Sequence, residues 1–440
     1  MSKSNVISLA GMLVFMGLAW LLSSSRRTVN WRAVVWGTLL QLGFGLLVFR
    51  APAGTRFFLL LNDVVVKLLD CASAGTRFVF GRLALPPGAT NEAGETSLGF
   101  ILAFQGFPTI VFFSALMGIL YYHGILPAII RGFTLIFTRL MRTSGAESLC
   151  AASNIFVGVE SALVIRPYVE RLTRSELCTV LTAGMATVAS NVMALYVFFL
   201  QNHFPGIAGH LISASILSAP AALVMSKLIL PETEKPVTMD AAVRYQYERE
   251  NSVFEAIIKA ANAGVHLIFG IVALLLAFLG LIALADAILA RVGHCINAFL
   301  GWSGVWSLRG VLSYVFYPLT LLAGVPREDA ALVARIIGER TVATEVAGYQ
   351  DLAAALAAGW IRHPRSAVIA TYALCGFAHV ASLAIFVGGF SALAPSRTKD
   401  LAAVGLRALV AATLSCLMTA CVAGVFAGDT TLLLGTAASR

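Results

Sequence analysis

Four short stretches of this 440-residue chain place polar or ionisable side chains among long runs of apolar ones. They are residues 153–161, 182–191, 338–349 and 371–382. Carboxylates, amides, hydroxyls and an imidazole can bind a hard cation through oxygen, hold a hydroxylated solute through hydrogen bonds, or carry a proton. Because apolar surroundings make such groups costly to keep, the default interpretation of these stretches is functional.

The first two stretches combine amide and hydroxyl oxygens with a carboxylate. Residues 153–161 carry Asn154 and Glu160 between apolar flanks. A carboxylate at membrane depth costs about 2.5–3.5 kcal/mol on insertion scales, which indicates function; the alternative is a hairpin tip with Glu160 in water. Residues 182–191 are small enough for close helix packing, yet Asn191 beside hydroxyls needs partners that lipid lacks.

The other two stretches carry acids, an arginine and a histidine. Glu339 and Arg340 are interpreted as a local ion pair or as a face turned to water, whereas Glu345 lies between apolar residues. His379 stands alone in an apolar stretch, where structural contacts often satisfy a histidine. Gly376 just before it favours a local unwinding that exposes backbone carbonyls to an ion.

Long apolar segments must position these groups. Hydrophobic residues make up 59% of the chain and charged residues 12%, with a mean hydropathy of +0.86, whereas roughly a quarter of the residues are charged in water-soluble domains. Since about 20 apolar residues span a bilayer, the sequence predicts an all-α membrane protein with eight transmembrane helices. The predicted spans lie near residues 6–24, 33–49, 99–122, 176–200, 207–230, 264–290, 366–392 and 403–427.

Three less regular segments complete this prediction. Residues 54–83 mix apolar and charged side chains, which predicts an amphipathic interfacial helix. Residues 145–172 and about 303–352 are apolar but interrupted by Gly, Pro and charges, as re-entrant hairpins lodged within protein are. The hairpins precede the spans 176–200 and 366–392 and enter from opposite sides, which predicts an inverted-repeat transport domain.

Positive charges in the loops orient these segments. Arg26, Arg27 and Arg32 lie in the first loop, whereas residues 84–98 contain no Lys or Arg, so the first loop is predicted to be cytoplasmic and both termini external. The chain is then predicted to divide into four parts. Residues 1–98 contain the N-terminal spans and an interfacial helix, and residues 99–230 contain a scaffold span, the first hairpin and the first half of the transport core. Residues 231–262 form a cytoplasmic linker and interfacial helix, and residues 263–440 contain the second hairpin, the second half of the core and the final span.

The remaining composition argues against other classes. The net charge of +9 is scattered through short loops without a basic stripe, so no nucleic-acid partner is expected. The seven Cys stand singly, with no CxxC pair, which favours packing over disulfides or metal binding. The first apolar segment has no small-residue cleavage site before Arg26, so it is expected to remain as a span.

Several segments in the same order resemble the concentrative nucleoside transporter family over about 99–427. Residues 112–122 are similar to its third span. Residues 338–349 are similar to its lysine-containing segment that ends in Asn-Glu-Phe-Val-Ala-Tyr, and residues 372–379 to its segment Tyr-Ala-Leu-Cys-Gly-Phe-Ala-Asn. The ordered set is a more specific signal than any one short motif.

The resemblance implies a bacterial inner-membrane homotrimer embedded in lipid, which carries a nucleoside by elevator-like movement of the transport domain. The ligand types favour Na⁺ as the coupling ion, because they are oxygens without a titrating group; H⁺ carried by Glu160 or His379 is the alternative, and no organic cofactor is expected. By position, the Na⁺ ligands would be the Asn154 side chain, the Val157 carbonyl, the Thr187 hydroxyl and the Val188 carbonyl. The substrate-binding residues by position are Gly158, Val159, Glu160, Ser161, Val192, Glu345, Phe377, His379 and Ser382, of which Glu345, His379 and Ser382 hold the ribose.

The chain also departs from the family's motifs. Gly158-Val159-Glu160-Ser161 stands where the family has Gly-Gln-Thr-Glu to bind the nucleobase, so an amide is lost and the acid moves by one place. His379 replaces the Asn that touches ribose. Ribose recognition is therefore expected to be partly retained and the base pocket rebuilt, and such changes redirect specificity.

Three interpretations follow. The first is a cation:nucleoside symporter, and the second a symporter of the same fold for a modified nucleoside or another ribosyl or polyol solute. The third is an intramembrane hydrolase that uses Ser161 or Ser382 with His379, which needs hydrogen-bond reach between nucleophile and imidazole. A channel is disfavoured because intramembrane acids at an inverted repeat are typical of alternating access.

Overall fold

The computed structural model describes residues 3–91, 94–158, 161–239, 250–300 and 306–428. Within these residues the regular structure is helical, apart from an isolated β-bridge, so the predicted all-α class is confirmed. The α-helices are α1 (Lys3–Leu21), α2 (Trp31–Phe49), α3 (Pro52–Phe80), α4 (Leu102–Gln105), α5 (Phe107–Tyr122), α6 (Ile125–Met141), α7 (Gly145–Ser153), α8 (Ser161–Val164), α9 (Arg174–Ala186), α10 (Ser190–Leu200), α11 (Ile207–Ile229), α12 (Val253–Leu300), α13 (Leu308–Leu322), α14 (Arg327–Val342), α15 (Glu345–Ala357), α16 (Pro364–Leu374), α17 (Val380–Leu393) and α18 (Thr398–Phe426).

Among the described residues, seven helical stretches are long and apolar enough to cross a membrane. The 48 residues of α12 extend for about 72 Å at 1.5 Å per residue, well beyond the roughly 30 Å of a hydrocarbon core. The chain is therefore a multi-pass membrane protein. The seven stretches are Lys3–Leu21, Trp31–Phe49, Leu102–Tyr122, Arg174–Leu200, Ile207–Ile229, Val253–Phe299 and Pro395–Phe426.

The helix α3 is the predicted amphipathic helix. Its buried residues include Thr55, Phe58, Asn62, Val65 and Leu69. They recur every three or four positions, which places them on one face of the helix. The charged side chains fall between them, and this distribution suits a helix that lies along an interface.

A second amphipathic helix, α6, lies outside the predicted elements. Its buried residues include Leu126, Ile130 and Phe137. Arg131 and Arg139 lie on its exposed face and interrupt the apolar run in the sequence, so no continuous apolar window marks it as a span. The sequence analysis predicted no helix here.

The first hairpin follows the predicted bounds. It begins at α7 with a capping box, in which the Ser144 side chain accepts from the Glu147 N–H and the Glu147 carboxylate accepts from the Ser144 N–H at 2.7 Å. The chain then turns near Asn154 and returns through α8 and the 3₁₀ segment Arg166–Arg171.

The second hairpin consists of α14 and α15, and the predicted bounds of 303–352 are wrong. The first part of that range forms the separate helix α13, and the hairpin extends to Ala357. The boundary lies at Gly324, whose φ of 91° requires the left-handed region, and at Pro326, which N-caps α14. Both residues are ordinary turn signals that the apolar character of the range had obscured.

The span after each hairpin is broken in the middle. The predicted span 176–200 consists of α9 and α10, which are separated at residues 187–189, and 366–392 consists of α16 and α17, separated at residues 375–379. The two breaks touch each other. A Cβ on Gly376 would lie only 2.8 Å from the Ala186 carbonyl oxygen, so glycine is required at this crossing.

The hydrogen bonds between distant segments define two ends of the molecule. At one end, Arg32 donates from Nε to the Leu140 carbonyl at 3.2 Å, and the Gly145 N–H donates to the Thr238 carbonyl at 2.9 Å. The first loop, the end of α6, the start of hairpin 1 and the linker after α11 therefore lie on the same side. These are segments that the charge pattern predicts to be cytoplasmic.

At the other end, Arg365 joins the two terminal helices. Its Nη1 donates to Asn5 Oδ1 and to the Ala427 carbonyl, both at 2.8 Å, and its Nε donates to the Gly324 carbonyl at 2.9 Å. The first helix, the end of the last helix and the start of hairpin 2 thus meet on one side. Hairpin 1 begins at the opposite end, so the two hairpins enter as an inverted pair.

Candidate functional site

The first half of the core brings the tip of hairpin 1 against the break between α9 and α10. The Ser190 N–H, at the start of α10, donates to the Phe156 carbonyl at 3.0 Å. The Ser215 hydroxyl of α11 donates to the Ile155 carbonyl at 2.8 Å and lies 3.5 Å from the Val188 carbonyl. Backbone oxygens of both irregular segments are therefore gathered at one place.

Two buried side chains add oxygens to this place. The Asn154 Nδ2 donates to the Cys150 carbonyl at 2.9 Å, which orients the amide, and its Oδ1 has no donor within the described part of the chain. The Thr187 hydroxyl donates to the Ala183 carbonyl at 2.8 Å, so its oxygen still offers lone pairs. Buried acceptors without donors are what a hard cation needs as ligands, so this donor set fits Na⁺.

The second half of the core brings the tip of hairpin 2 against the break between α16 and α17. Glu345 begins α15, where the positive end of the helix dipole favours a carboxylate. Its Oε1 accepts from the Tyr196 hydroxyl at 2.8 Å, and its Oε2 lies 2.7 Å from His379 Nε2. Glu345 and His379 have side-chain exposures of only 5% and 3%, so the pair is isolated from bulk solvent.

The cap of α17 fixes the tautomer of His379. His379 Nδ1 accepts from the Ser382 N–H at 3.2 Å as the N-cap of that helix. A backbone N–H only donates, so Nδ1 carries no proton, and the imidazole is neutral with its proton on Nε2. His379 Nε2 hydrogen-bonds with the Ser382 hydroxyl at 2.8 Å and lies 2.7 Å from Glu345 Oε2, so His379 is more than a passive packing residue.

The same contacts argue against a hydrolytic triad. The Ser382 oxygen lies 2.8 Å from His379 Nε2, the nitrogen that also faces Glu345. A triad needs the serine and the acid on opposite nitrogens of the imidazole. Here Nδ1 is held by backbone, so His379 has no free nitrogen with which to activate Ser382. Ser161 is buried elsewhere, 3.7 Å from the Cys150 sulfur.

A cavity of about 890 Å³ lies beside the tip of hairpin 1. Its described lining includes Ser114 and Tyr121 of α5, the hairpin residues 156–158, Asn191 at the start of α10, and Lys259 of α12. The cavity thus separates the hairpin from the α5–α12 pair, which pack together along their length. Its volume suits a solute of nucleoside size.

The remaining predicted site residues fall around these features. Val157 and Gly158 line the cavity, Val192 is buried in the first turn of α10, and Phe377 is half-buried within the second break. Two predicted members, Val159 and Glu160, lie outside the described residues.

Two tyrosines join the site without having been predicted. The Tyr196 and Tyr349 rings stack with centroids 4.3 Å apart, and the Tyr349 hydroxyl donates to the Thr371 carbonyl at 2.9 Å. Both rings are fully buried. The available signal was a phenol inside an apolar segment, since a buried Tyr hydroxyl usually needs a partner.

The alternatives predicted for Glu339 and Arg340, a local ion pair or a face turned to water, are both wrong, because the two side chains are buried and have different partners. Glu339 forms an ion pair with Arg309 of α13, whereas the fully buried Arg340 donates from Nη1 to the Ala373 carbonyl at 2.8 Å. Successive residues of a helix point about 100° apart, so the two side chains face different neighbours.

The fold and the site together have the arrangement of the inverted-repeat class of membrane transporters. Three family models match successive parts of the chain: "Na+ dependent nucleoside transporter N-terminus" at residues 10–83, "Nucleoside recognition" at 103–202, and "Na+ dependent nucleoside transporter C-terminus" at 210–424. The chain belongs to the Na⁺-dependent, concentrative nucleoside transporter family. Its members are transporters, so the hydrolase interpretation is wrong.

Individual relatives agree with this assignment. "Solute carrier family 28 member 3" of Mus musculus is 36% identical over 440 residues, covering 97% of this chain, which spans 59% of the length of that relative. An "Uncharacterized transporter" of Haemophilus influenzae is 37% identical, covering 97% of this chain and 98% of its own length.

Solved structures agree as well. The structure titled "CNTnw in an inward-facing substrate-bound state" superposes with a TM-score of 0.84 at 36% identity, over 97% of this chain and all of the other. A CNTnw variant in an outward-facing state gives a TM-score of 0.83 at 35% identity, over 97% of this chain and 98% of the other.

Proposed function

We propose that this protein couples the entry of Na⁺ to the uptake of a nucleoside by an elevator-type alternating-access mechanism. The observation that carries the proposal is the Glu345 carboxyl group, buried at the tip of hairpin 2, whose Oε1 accepts from Tyr196 and whose Oε2 has no hydrogen-bond donor among the described residues. A buried acid with an unused acceptor is a site for the adjacent hydroxyls of ribose, which both donate and accept hydrogen bonds. Ser382 adds a further hydroxyl beside it.

The Na⁺ ion would be held by the Asn154 amide oxygen, the Thr187 hydroxyl and the carbonyls of Val157 and Val188. The undonated Asn154 Oδ1 supports this assignment. Because Val157 and Gly158 also line the cavity, an ion bound behind them would order the surface that a substrate meets. Na⁺ and nucleoside binding would then favour each other, which is what coupling requires.

The base-binding part of the site supports a second candidate, a modified nucleoside or another ribosyl or polyol solute. Val159 lacks the amide of the family motif, and the acid at Glu160 is displaced by one position. His379, which replaces the family's Asn, also lies 2.7 Å from Glu345 Oε2, so a substrate hydroxyl that approaches this oxygen meets an imidazole instead of an amide. Both changes alter which polar groups a substrate must supply.

Assembly and location are proposed on the same basis. We infer a homotrimer in a bacterial inner membrane, with both termini external. Support comes from α12, which exposes large apolar side chains such as Phe269, Leu276, Leu281 and Leu284 along its length. Membrane lipid or a second copy of the chain would cover such a surface.

Transport in proteoliposomes tests the proposal. Uridine and adenosine uptake should be concentrative with external Na⁺ and should stop when choline replaces Na⁺ at constant pH. Competition by a panel of modified nucleosides should then rank the substrates. Uptake that persists in choline and follows an imposed pH gradient would reject Na⁺ coupling and leave His379 and Glu160 as the candidate proton carriers. Uptake of none of the nucleosides would reject the substrate class.

A further inference from the structure

Arg340 in hairpin 2 is a buried cation without an acidic partner among the described residues. Its guanidinium makes one hydrogen bond to oxygen, from Nη1 to the Ala373 carbonyl at 2.8 Å, while Nε and Nη2 have no such partner in the described part of the chain. The Cys416 thiol lies beside it, and sulfur is a weak acceptor. A buried charge this poorly paired is costly, so it calls for a reason beyond packing.

The location of Arg340 mirrors that of Asn154 in the other half of the core. Asn154 lies at the end of the first helix of hairpin 1, against the break that follows α9, and Arg340 lies near the end of the first helix of hairpin 2, against the break that follows α16. The two halves differ in which buried groups lack hydrogen-bond partners: Asn154 has an acceptor without a donor, and Arg340 has donors without acceptors.

The target of Arg340 is the C-terminal end of a half-helix. Ala373 is the second-last residue of α16, and its carbonyl belongs to the last turn, which has no partner within the helix. The Tyr349 hydroxyl takes another carbonyl of this helix, that of Thr371. The negative end of a helix dipole favours a cation, and α9 presents the same kind of end to the Asn154 region.

We propose that Arg340 is a resident cation, which occupies in the second half of the core the place that Na⁺ takes in the first. Its charge fixes the unwound segment 375–379 and thereby positions His379 against Glu345. One Na⁺ then suffices for each nucleoside, because the second half carries its cation permanently. This inference rests on the proposed Na⁺-coupled function and assigns Arg340 a positioning role.

A purely structural role predicts a different result. If Arg340 only filled space, an apolar side chain of similar volume would serve as well or better, since replacing poorly paired buried charges in this way is often neutral or stabilising. Arg340→Met therefore separates the two roles. Arg340→Lys keeps the charge, and Arg335→Met removes an exposed arginine from the same helix as a matched control.

The experiment measures thermal unfolding of the purified variants with and without Na⁺, uridine and adenosine. We expect Na⁺ to stabilise Arg340→Met as it does the wild type, because the Asn154 site is intact, whereas nucleoside affinity falls at least tenfold. Arg340→Lys should recover affinity to within about threefold of wild type, and Arg335→Met should not differ from it. Unchanged nucleoside affinity in Arg340→Met would refute the proposal.

The charge moved per nucleoside gives a second test that does not depend on how the variants fold. In wild-type proteoliposomes held at defined membrane potentials, one Na⁺ should enter with each nucleoside. A ratio of two would show that the second half binds its own ion and would overturn the resident-cation role. If the wild type responds to neither Na⁺ nor nucleoside, the proposed function is wrong. This outcome is distinct from a failure of the Arg340 proposal, which concerns only the variants and the transport ratio.

Discussion

The acid Glu345 and its two neighbours decide how the site treats a hydroxylated solute. Tyr196 and His379 approach different oxygens of the carboxyl group, at 2.8 and 2.7 Å. The Tyr196 hydroxyl donates to Oε1 and holds the side chain in one rotamer, which spares the substrate the entropy of orienting it. Oε2 has no hydrogen-bond donor among the described residues, so it can accept from a substrate hydroxyl.

Replacing Glu345 should therefore have a larger effect than replacing Tyr196, which donates to it. Glu345→Gln keeps the shape but removes the charge and turns an NH₂ group toward a donor. We expect at least a tenfold loss of uptake in proteoliposomes with normal expression and membrane insertion. Tyr196→Phe is the matched control, because it deletes one neutral donor and should reduce uptake only severalfold. Wild-type uptake by Glu345→Gln would remove this residue from the site.

At the scale of elements, the two broken helices cross at a close backbone contact. Gly376 meets the Ala186 carbonyl and the Cys416 sulfur, at 2.8 and 2.7 Å from where a Cβ would stand. The Ala186 carbonyl is backbone and cannot rotate away. Both breaks, and with them the two sets of site residues, depend on this one approach.

The methyl group added by Gly376→Ala should push the two unwound segments apart. We expect uptake to be lost and the midpoint of thermal unfolding to fall, because real Cβ contacts do not occur at such distances. Gly388→Ala, in α17, is the matched control: its added Cβ meets nothing within 4 Å, and alanine favours a helix. Equal uptake by the two variants would contradict the assigned crossing.

The positions of the main spans could be predicted from the sequence because hydropathy over about 20 residues reports on lipid. The break at 375–379 was indicated by Gly376 and not by hydropathy, whereas the break at 187–189 was not placed, since unwinding there depends on tertiary partners such as Ser215. For the same reason α6 was missed and hairpin 2 was merged with α13. Apolar content alone does not distinguish a hairpin from an amphipathic helix followed by a Gly-Pro turn.

The sequence identified which residues belong to the site better than it identified which residues they contact. Glu345 and His379 stood out as polar groups in apolar segments, and the structure pairs them directly. Tyr196 and Arg340 come from helices whose register no local pattern fixes, so their meeting with the site required the fold. Glu339 shows the opposite error, because adjacency in sequence suggested an ion pair that helical geometry prevents.

At the scale of the whole molecule, each hairpin is fastened at the end from which it enters. The Ser144 hydroxyl donates to Glu176 at the start of α9 at 2.5 Å, and the Ser366 hydroxyl donates to Asp329 at the start of α14 at 2.6 Å. Both contacts join a hairpin to the broken helix that follows it. The inverted repeat thus fastens each hairpin to its own broken helix, and movement of the core as one body would preserve both contacts.

These two ends also give the proposed orientation a direct test. Thr90 is exposed in the loop before α5, and Thr233 is exposed in the linker after α11, on the side predicted to be cytoplasmic. Single Thr→Cys replacements at both sites form a matched pair, in a background where the exposed Cys71 and Cys295 are changed to Ser. An impermeant maleimide applied to intact cells should label Thr90→Cys, whereas Thr233→Cys should react only after the membrane is opened. Because an odd number of crossings separates the two loops in this fold, labelling of both from outside would refute the topology, and the reverse pattern would invert the orientation and place both termini inside.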